Sequence, residues 1–182
     1  VQDCGNTSGE MIMKFDQNNS TCSVFTGREG ALSAIGHDLK LEVGKFEINM
    51  SGTEVRGSFD AKSLRVIGAV EGKTVDVGEI SSKDKSKIES NIVKDVLKAK
   101  KFPNIEFSSD SVEVGDGQIT APGNLTICGS ERPFKAEVKK SGDGWVLSAT
   151  LKQSDFGMKP FKALLGQLRI SDELRVELNL PN

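Results

Sequence analysis

The amino-acid sequence predicts an all-β protein, an antiparallel β-barrel of about eight strands with one inserted α-helix and a short helical turn. Three observations support this fold. Apolar and polar residues alternate over long segments, glycine-containing turns separate these segments, and only two stretches have helical spacing. The length of 182 residues suits one domain, and a content of 36% hydrophobic and 27% charged residues is typical of a globular protein.

The alternation is clearest near the C-terminus. From Leu174 to Leu180 every second residue is leucine or valine, and the residues between them are polar. Only a strand with one buried face requires this pattern. Two further segments repeat it, namely Phe134, Ala136 and Val138, and then Trp145, Leu147, Ala149 and Leu151.

A long bent strand is predicted between Leu39 and Met50. Its apolar residues keep one phase up to Val43 and then shift by one position at Gly44. Such a shift indicates a β-bulge, where a strand bends, and a closing barrel needs bent strands.

Short turns connect the strands. The segments 51–53, 115–117 and 142–144 each contain glycine, and the last two read Gly-Asp-Gly. Glycine and aspartate tolerate the positive φ angles of tight hairpins. Sequential hairpins predict an antiparallel meander, as opposed to a parallel sheet with crossover helices.

Two segments interrupt the strands. Between Ser82 and Lys101 the apolar residues recur at helical spacing, after a capping sequence that starts at Ser81, and Pro103 is expected to stop the helix. The second segment is 160–168, where a short helix or turn would place four apolar residues on one face: Phe161, Leu164, Leu165 and Leu168.

Several classes of function find little support. The net charge of −2 argues against nucleic-acid binding, and no apolar run reaches the roughly 20 residues of a helical membrane span. The segment 68–74 has one residue too few between its glycines for a phosphate-binding loop, so we interpret it as a turn. His37 is the single histidine, which disfavours a zinc site, and we expect it to be hydrogen-bonded at the barrel rim.

The three cysteines leave two alternatives open. A disulfide between Cys4 and Cys22 would tie the polar first stretch to the barrel in an oxidising compartment, with Cys128 as a free thiol. Three reduced thiols are the alternative. The chain opens with Val1, from which we expect that an upstream piece, a signal peptide or a cloning leader, has been removed.

One long stretch carries a family resemblance. Lys98 to Ser109 reads KAKKFPNIEFSS, then the Gly115–Gly117 turn leads to GNLTICG at 123–129 and to Arg132-Pro133-Phe134. This order resembles the YceI-like family, in which a helix ending in an aromatic-Pro pair feeds a strand. A Gly-x-Leu-Thr-Ile-x-Gly strand and a turn before Lys/Arg-Pro then follow.

The resemblance covers about residues 20–181 and implies an extended lipocalin-like antiparallel barrel, usually exported, around a long apolar cavity that holds polyisoprenoid or quinone-like chains. It divides the chain into an N-terminal extension, residues 1–19, and a barrel domain, residues 20–182. Two positions depart from the family. Cys128 stands where histidine is common, and residues 86–89 replace an Arg-Asp-x-His-type helix start. The resemblance therefore does not imply a contact between these two positions and a polar headgroup of the ligand.

We expect a non-enzymatic protein that binds and carries an extended apolar ligand, a polyisoprenoid, quinone or lipid-like chain, with no catalytic residue, metal or cofactor. Removing apolar surface from water at about 25 cal/mol per Å² would supply the affinity. The expected ligand-binding residues are inward-facing apolar side chains, with the last three closing one end: Leu41, Val43, Phe46, Ile48, Phe59, Ile105, Phe107, Leu125, Ile127, Trp145, Leu147, Phe161, Leu164 and Leu165.

Two other classes of function remain open at this point. A structural or interaction module would have a solid barrel and would act through a surface patch, such as the lysine-rich helix. An enzyme would need a reactive His37 or Cys128. The carrier hypothesis also includes a periplasmic or secreted location, transient membrane contact and a homodimer joined mouth to mouth.

Overall fold

The computed structural model describes residues 12–182, apart from the side chains of Ile35 and Leu164. Over this part of the chain, fourteen strand segments form one sheet. They are β1 (Ile12–Asp16), β2 (Thr21–Glu29), β3 (Asp38–Val43), β4 (Phe46–Ser51), β5 (Glu54–Asp60), β6 (Leu64–Glu71), β7 (Thr74–Asp76), β8 (Asn104–Ser109), β9 (Glu113–Gly115), β10 (Gln118–Ile127), β11 (Ser130–Ser141), β12 (Gly144–Lys152), β13 (Lys162–Ala163) and β14 (Leu168–Pro181).

The sheet is antiparallel and closes on itself. Neighbouring strands follow the order β1-β4-β5-β8-β10-β11-β12-β14-β2-β3-β6-β7. Segment β1 leads into β2, β3 into β4 and β5 into β6, so each of these pairs is one bent strand. The two segments of each bent strand lie near opposite ends of the strand order, which closes the sheet into a barrel. Counting each bent strand once, and β8, β10, β11, β12 and β14, gives the predicted eight-stranded barrel, in which β14 pairs with β2. The prediction of an antiparallel barrel is confirmed, and the segments outnumber eight because the long strands are interrupted.

The bend between β3 and β4 lies at Gly44, as the shift of phase predicts. The Gly44 N–H donates a hydrogen bond of 3.0 Å to the Ser63 carbonyl oxygen. A Cβ at Gly44 would lie only 2.9 Å from that oxygen, so a larger residue would push the two bent strands apart. The apolar residues on both sides of the break, Val43 and Phe46, are buried.

The inserted helix, α1 (Ser82–Asn91), begins at the predicted cap and continues as one π-helical turn, Ile92–Val96. The Ser81 hydroxyl accepts a 3.1 Å hydrogen bond from the Asp84 N–H. The helix covers part of the edge of β6, since the Val66 N–H donates to Glu89 Oε1 at 2.8 Å and Lys85 Nζ donates to the Ile67 carbonyl at 2.8 Å. These bonds satisfy backbone groups that an exposed edge strand would leave open.

The segment 160–168 contains the predicted short helical turn, but its four apolar residues do not share one helical face. Residues 162–163 form β13, which pairs with Arg169 and Leu168 of β14, and only Leu164–Gly166 forms a 3-10 turn. We call residues 159–170 the mouth hairpin. Leu165 has φ 57°, in the left-handed region, so it does not continue a helix. Cross-strand pairing at the barrel rim therefore outweighs the local helical spacing.

Residues 12–16 take part in the barrel although they fall within the predicted N-terminal extension. They form β1, which pairs with β4 from Ile12–Ser51 to Asp16–Glu47. Cys4 lies outside the described residues, so its disulfide with Cys22 stays a prediction. Among the described residues, no helix has the length and apolar character to cross a membrane.

Candidate functional site: an apolar lumen

The barrel encloses a cavity of about 810 Å³, which we call the lumen. Its wall includes residues from Leu168 near the start of β14 to Leu180 near its end. At about 3.3 Å per residue this span is about 40 Å of strand, and a strand tilt of about 40° leaves about 30 Å along the barrel axis. The lumen is therefore long and narrow, and its size falls within the range of small-molecule sites.

Most of the predicted ligand-binding residues lie on the lumen wall. They come from six strands and the mouth hairpin: Leu41, Val43, Ile48, Phe59, Ile105, Phe107, Leu125, Ile127, Trp145, Leu147 and Phe161. Alternation along each strand turns these side chains inward. That they contact a ligand stays a prediction.

Three predicted residues have a different status. Phe46 is 3% exposed, but it packs at the bend behind Phe59, with ring centroids 5.6 Å apart, and does not line the lumen. Leu165 is fully exposed at the turn of the mouth hairpin, where its backbone is left-handed, and it does not line the lumen. The side chain of Leu164 lies outside the described part of the structure.

The lumen also contains residues that the sequence analysis did not assign to the site. β14 contributes every second residue of its alternating segment, and β1, β2 and the helical segment contribute more: Leu174, Val176, Leu178, Leu180, Phe15, Cys22, Val24, Ile88 and Ile92. The alternation in β14 was sufficient to identify its four residues as lumen-facing. The helical residues carry no such signal, because core packing produces the same spacing.

Polar side chains gather at one end of the lumen, which we call the helix end. His37, Glu79, Asp84, Asn91 and Arg169 line it there. His37 Nε2 lies 3.9 Å from Glu79 Oε1, and both side chains are partly exposed. This end therefore offers hydrogen-bond donors and acceptors to a polar group and reaches solvent.

The opposite end, which we call the hairpin end, is formed by the β4–β5 and β11–β12 turns. It lies far from the mouth hairpin, which is at the helix end. Its part of the wall is mainly apolar and includes Met50, Trp145 and Leu180, with Asn182 as a polar residue beside them. The lumen is thus asymmetric along its axis, with polar groups gathered at the helix end.

Two thiols lie in or near this site. Cys22 lines the lumen and is 5% exposed, and burial, with a smaller contribution from Glu42, raises its pKa to about 12. Cys128 Sγ donates a 3.2 Å hydrogen bond to the Leu97 carbonyl oxygen, and burial raises its pKa although Lys98 opposes the shift. Both environments disfavour the thiolate, which is the reactive form of cysteine.

Metal binding finds no support in this region. Within residues 12–182, no three His, Cys, Asp or Glu side chains are arranged to hold a metal ion. The lumen wall offers apolar contact along most of its length and hydrogen bonding at the helix end.

Comparison with known proteins agrees with this architecture. A crystal structure of Burkholderia cenocepacia BcnA is similar, with a TM-score of 0.61 and 16% identity over 91% of this chain and 97% of that one. A polyisoprenoid binding domain from Saccharophagus degradans, implicated in plant cell wall breakdown, has a TM-score of 0.62 and 10% identity over 95% and 99% of the two chains. These identities support a shared fold.

No curated protein matches the chain. The family model described as the YceI-like domain matches residues 14–181, nearly the whole chain. The chain therefore belongs to the YceI-like domain family.

Proposed function

We propose that this protein binds one extended apolar molecule, a polyisoprenoid, quinone or lipid-like chain, inside the barrel and carries it without chemical change. The observation that carries the proposal is the lumen itself, about 810 Å³ of space along the barrel with an almost wholly apolar wall. A space of this size is many times the roughly 30 Å³ of a water molecule. A solid barrel that acts only through its surface is therefore the less favoured alternative.

The shape of the lumen suits a chain. Burial of each CH₂ group contributes about 0.8 kcal/mol, so a long chain gains affinity from length alone. Since a tunnel selects for length and girth, the wall requires no specific polar partner along most of its extent. Family membership and the similar polyisoprenoid binding domain from Saccharophagus degradans support the same class of ligand.

The asymmetry of the lumen favours one orientation of the ligand. The tail would extend toward Trp145 and Leu180, and a polar head would lie at the helix end, near His37, Glu79 and Arg169. A polar head buried at the hairpin end would lose hydrogen bonds to water with few partners in exchange. We also propose a periplasmic or secreted location, which fractionation of cells that make the protein would test.

The first experiment is native mass spectrometry of protein purified without delipidation, followed by organic extraction. We expect an added mass of several hundred daltons that extraction removes. In parallel, geranylgeraniol, a C20 isoprenoid alcohol, is titrated into the extracted protein. A bare protein mass together with no binding of geranylgeraniol or quinones would contradict the proposal and favour a surface-acting module.

A pair of substitutions on β12 locates the binding site. Ala149 lines the lumen, whereas its neighbour Ser148 is exposed on the outer face. We expect Ala149→Phe to weaken geranylgeraniol binding at least tenfold, because the added ring occupies the lumen, and Ser148→Phe to leave binding unchanged. Equal affinities for both variants and the unchanged protein would place the ligand outside the lumen.

A further inference from the structure

The mouth hairpin has two different faces. Its inner face contributes four apolar side chains to the lumen wall, those of Phe161, Ala163, Leu168 and Ile170. Lys162 and Arg169 are cross-strand partners, so they lie on one side of the hairpin, opposite to the Ala163–Leu168 pair. The hairpin is therefore apolar toward the lumen and basic toward the outside, with Arg169 at the rim, where it also borders the helix end of the lumen.

The turn of this hairpin presents a leucine to solvent. Leu165 is fully exposed and has φ 57° and ψ 29°, a backbone conformation that leucine disfavours. Packing within the chain gains nothing from its side chain in this position. An exposed apolar residue held in an unfavourable conformation points to a contact outside the chain.

The charges around this leucine have one sign. Residues 159–170 include Lys159, Lys162 and Arg169 and contain no aspartate or glutamate. The acidic neighbour across the sheet is Glu29, which pairs with Arg169 in register and accepts a 2.8 Å hydrogen bond from Ser171. On the other side of the rim, α1 and the loop before it bring Asp84 and Glu79 to the lumen, while the exposed surface of α1 also carries Lys83 and Lys87.

We propose that the mouth hairpin docks the barrel on an anionic lipid bilayer. Leu165 enters the boundary between headgroups and acyl chains, and Lys159 and Lys162 lie against the lipid phosphates. One apolar side chain with a few basic neighbours gives weak, reversible membrane binding, whereas it is far too small for a stable protein interface. The inference deepens the proposed function and rests on it for one step, the passage of the apolar chain between bilayer and lumen without crossing water.

The test measures co-sedimentation with vesicles of phosphatidylcholine alone and of phosphatidylcholine mixed with phosphatidylglycerol. We expect binding to the mixed vesicles only, weakened by salt. Leu165→Asn removes the apolar side chain and suits the left-handed backbone, so the variant folds, and its binding falls about tenfold. Lys162→Glu, which reverses one charge, has an effect of about the same size.

Matched controls come from the hairpin end of the barrel. Val114→Asn replaces a 73% exposed apolar residue on β9, and Lys140→Glu reverses a charge on β11. Both variants are expected to bind mixed vesicles as the unchanged protein does. Equal losses in these controls would show a general surface effect and overturn the docking site.

Geranylgeraniol binding in vesicle-free solution separates this proposal from the proposed function. Leu165→Asn is expected to bind geranylgeraniol normally, since the side chain does not line the lumen. Normal geranylgeraniol binding with vesicle binding unaffected by Leu165→Asn and Lys162→Glu would overturn docking alone. A dimer that Leu165→Asn dissociates, with unchanged vesicle binding, would overturn docking in favour of self-association. Absent geranylgeraniol binding with hairpin-dependent vesicle binding would overturn the carrier function and leave docking supported.

Discussion

Phe46 and Phe59 face each other across β4 and β5, yet they belong to two regions that differ in packing. Phe59 lines the lumen, whereas Phe46 lies behind it at the bend and is 3% exposed. At the bend, the bent strands approach closely and the interior is filled by side chains. Along the lumen the same type of inward-facing residue borders open space. An inward-facing side chain is thus a structural core residue in one region and part of a binding wall in the other.

The largest expected effect tests this difference in packing directly. Phe46→Ala should reduce the free energy of unfolding by about 3–5 kcal/mol, because it leaves a cavity in a filled region. Phe107→Ala should cost roughly half as much, since one side of that ring borders the lumen and already lacks packing partners. Urea denaturation of the two extracted variants measures both values. Equal losses would mean that the lumen is packed as tightly as the bend.

A thiol inside the lumen gives a second, smaller effect. Burial raises the pKa of Cys22 from 9.0 to about 12, so the folded state keeps its proton at a pH where the unfolded state loses it. Stability is therefore unaffected below pH 9 and falls by about 1.4 kcal/mol per pH unit above pH 9, up to the folded pKa. Urea denaturation in reducing buffer at pH 8 and at about pH 10.5 should show a loss of about 2 kcal/mol.

Cys22→Val serves as the control for this prediction, because valine keeps an apolar side chain on the lumen wall and has no ionisable group. The other titrating groups are the same in both proteins, so the difference between their pH profiles reports Cys22. Parallel profiles would mean that the thiol of Cys22 is accessible to water in the folded state.

The smallest effect lies on the surface, where neither packing nor the lumen contributes. Ser154 donates to Asp172 from its hydroxyl at 2.5 Å and from its N–H at 2.8 Å, and these bonds lower the pKa of the Asp172 carboxyl. The contribution to stability is present above the ordinary aspartate pKa and is lost as the pH falls through the lowered value.

Ser154→Ala should raise the pKa of Asp172 toward its ordinary value while the backbone bond remains, which an NMR titration of the carboxyl measures. Ser148→Ala, an exposed serine on β12 that is remote from Asp172 in the chain, is the control and should leave this pKa unchanged. An unchanged pKa in Ser154→Ala would mean that the backbone N–H alone holds the carboxylate.

The local elements of the barrel were predictable because their causes lie within a few residues. Alternation from Leu174 to Leu180 predicts a strand with one inner face, and all four of its apolar residues line the lumen. The phase shift at Gly44 predicts the bend that separates β3 from β4. Ser81 predicts the start of α1. In each case the number of residues per repeat, or a single cap, determines the outcome.

The short helical turn predicted for residues 160–168 is present at Leu164–Gly166, but the two-stranded hairpin around it was not predicted. The spacing of Phe161, Leu164, Leu165 and Leu168 suits a helical face, but pairing of β13 with β14 leaves only one 3-10 turn. The polar helix end was also unpredictable in detail. His37 and Glu79 are separated by 42 positions in the sequence. They meet because the fold places the loop after β7, which carries Glu79, beside His37 at the barrel rim.

The sequence by itself determined that this chain forms a meander of half-buried strands with a helix inserted after β7, since periodicity, turn residues and caps are local properties. Only the tertiary structure decided that β14 closes onto β2, that Phe46 fills the bend and that the lumen stays open with polar groups gathered at one end. The physical reason is that alternation specifies which side chains face inward. Whether the inward-facing side chains fill the barrel or leave an open lumen depends on the barrel radius, which strand number and tilt determine together.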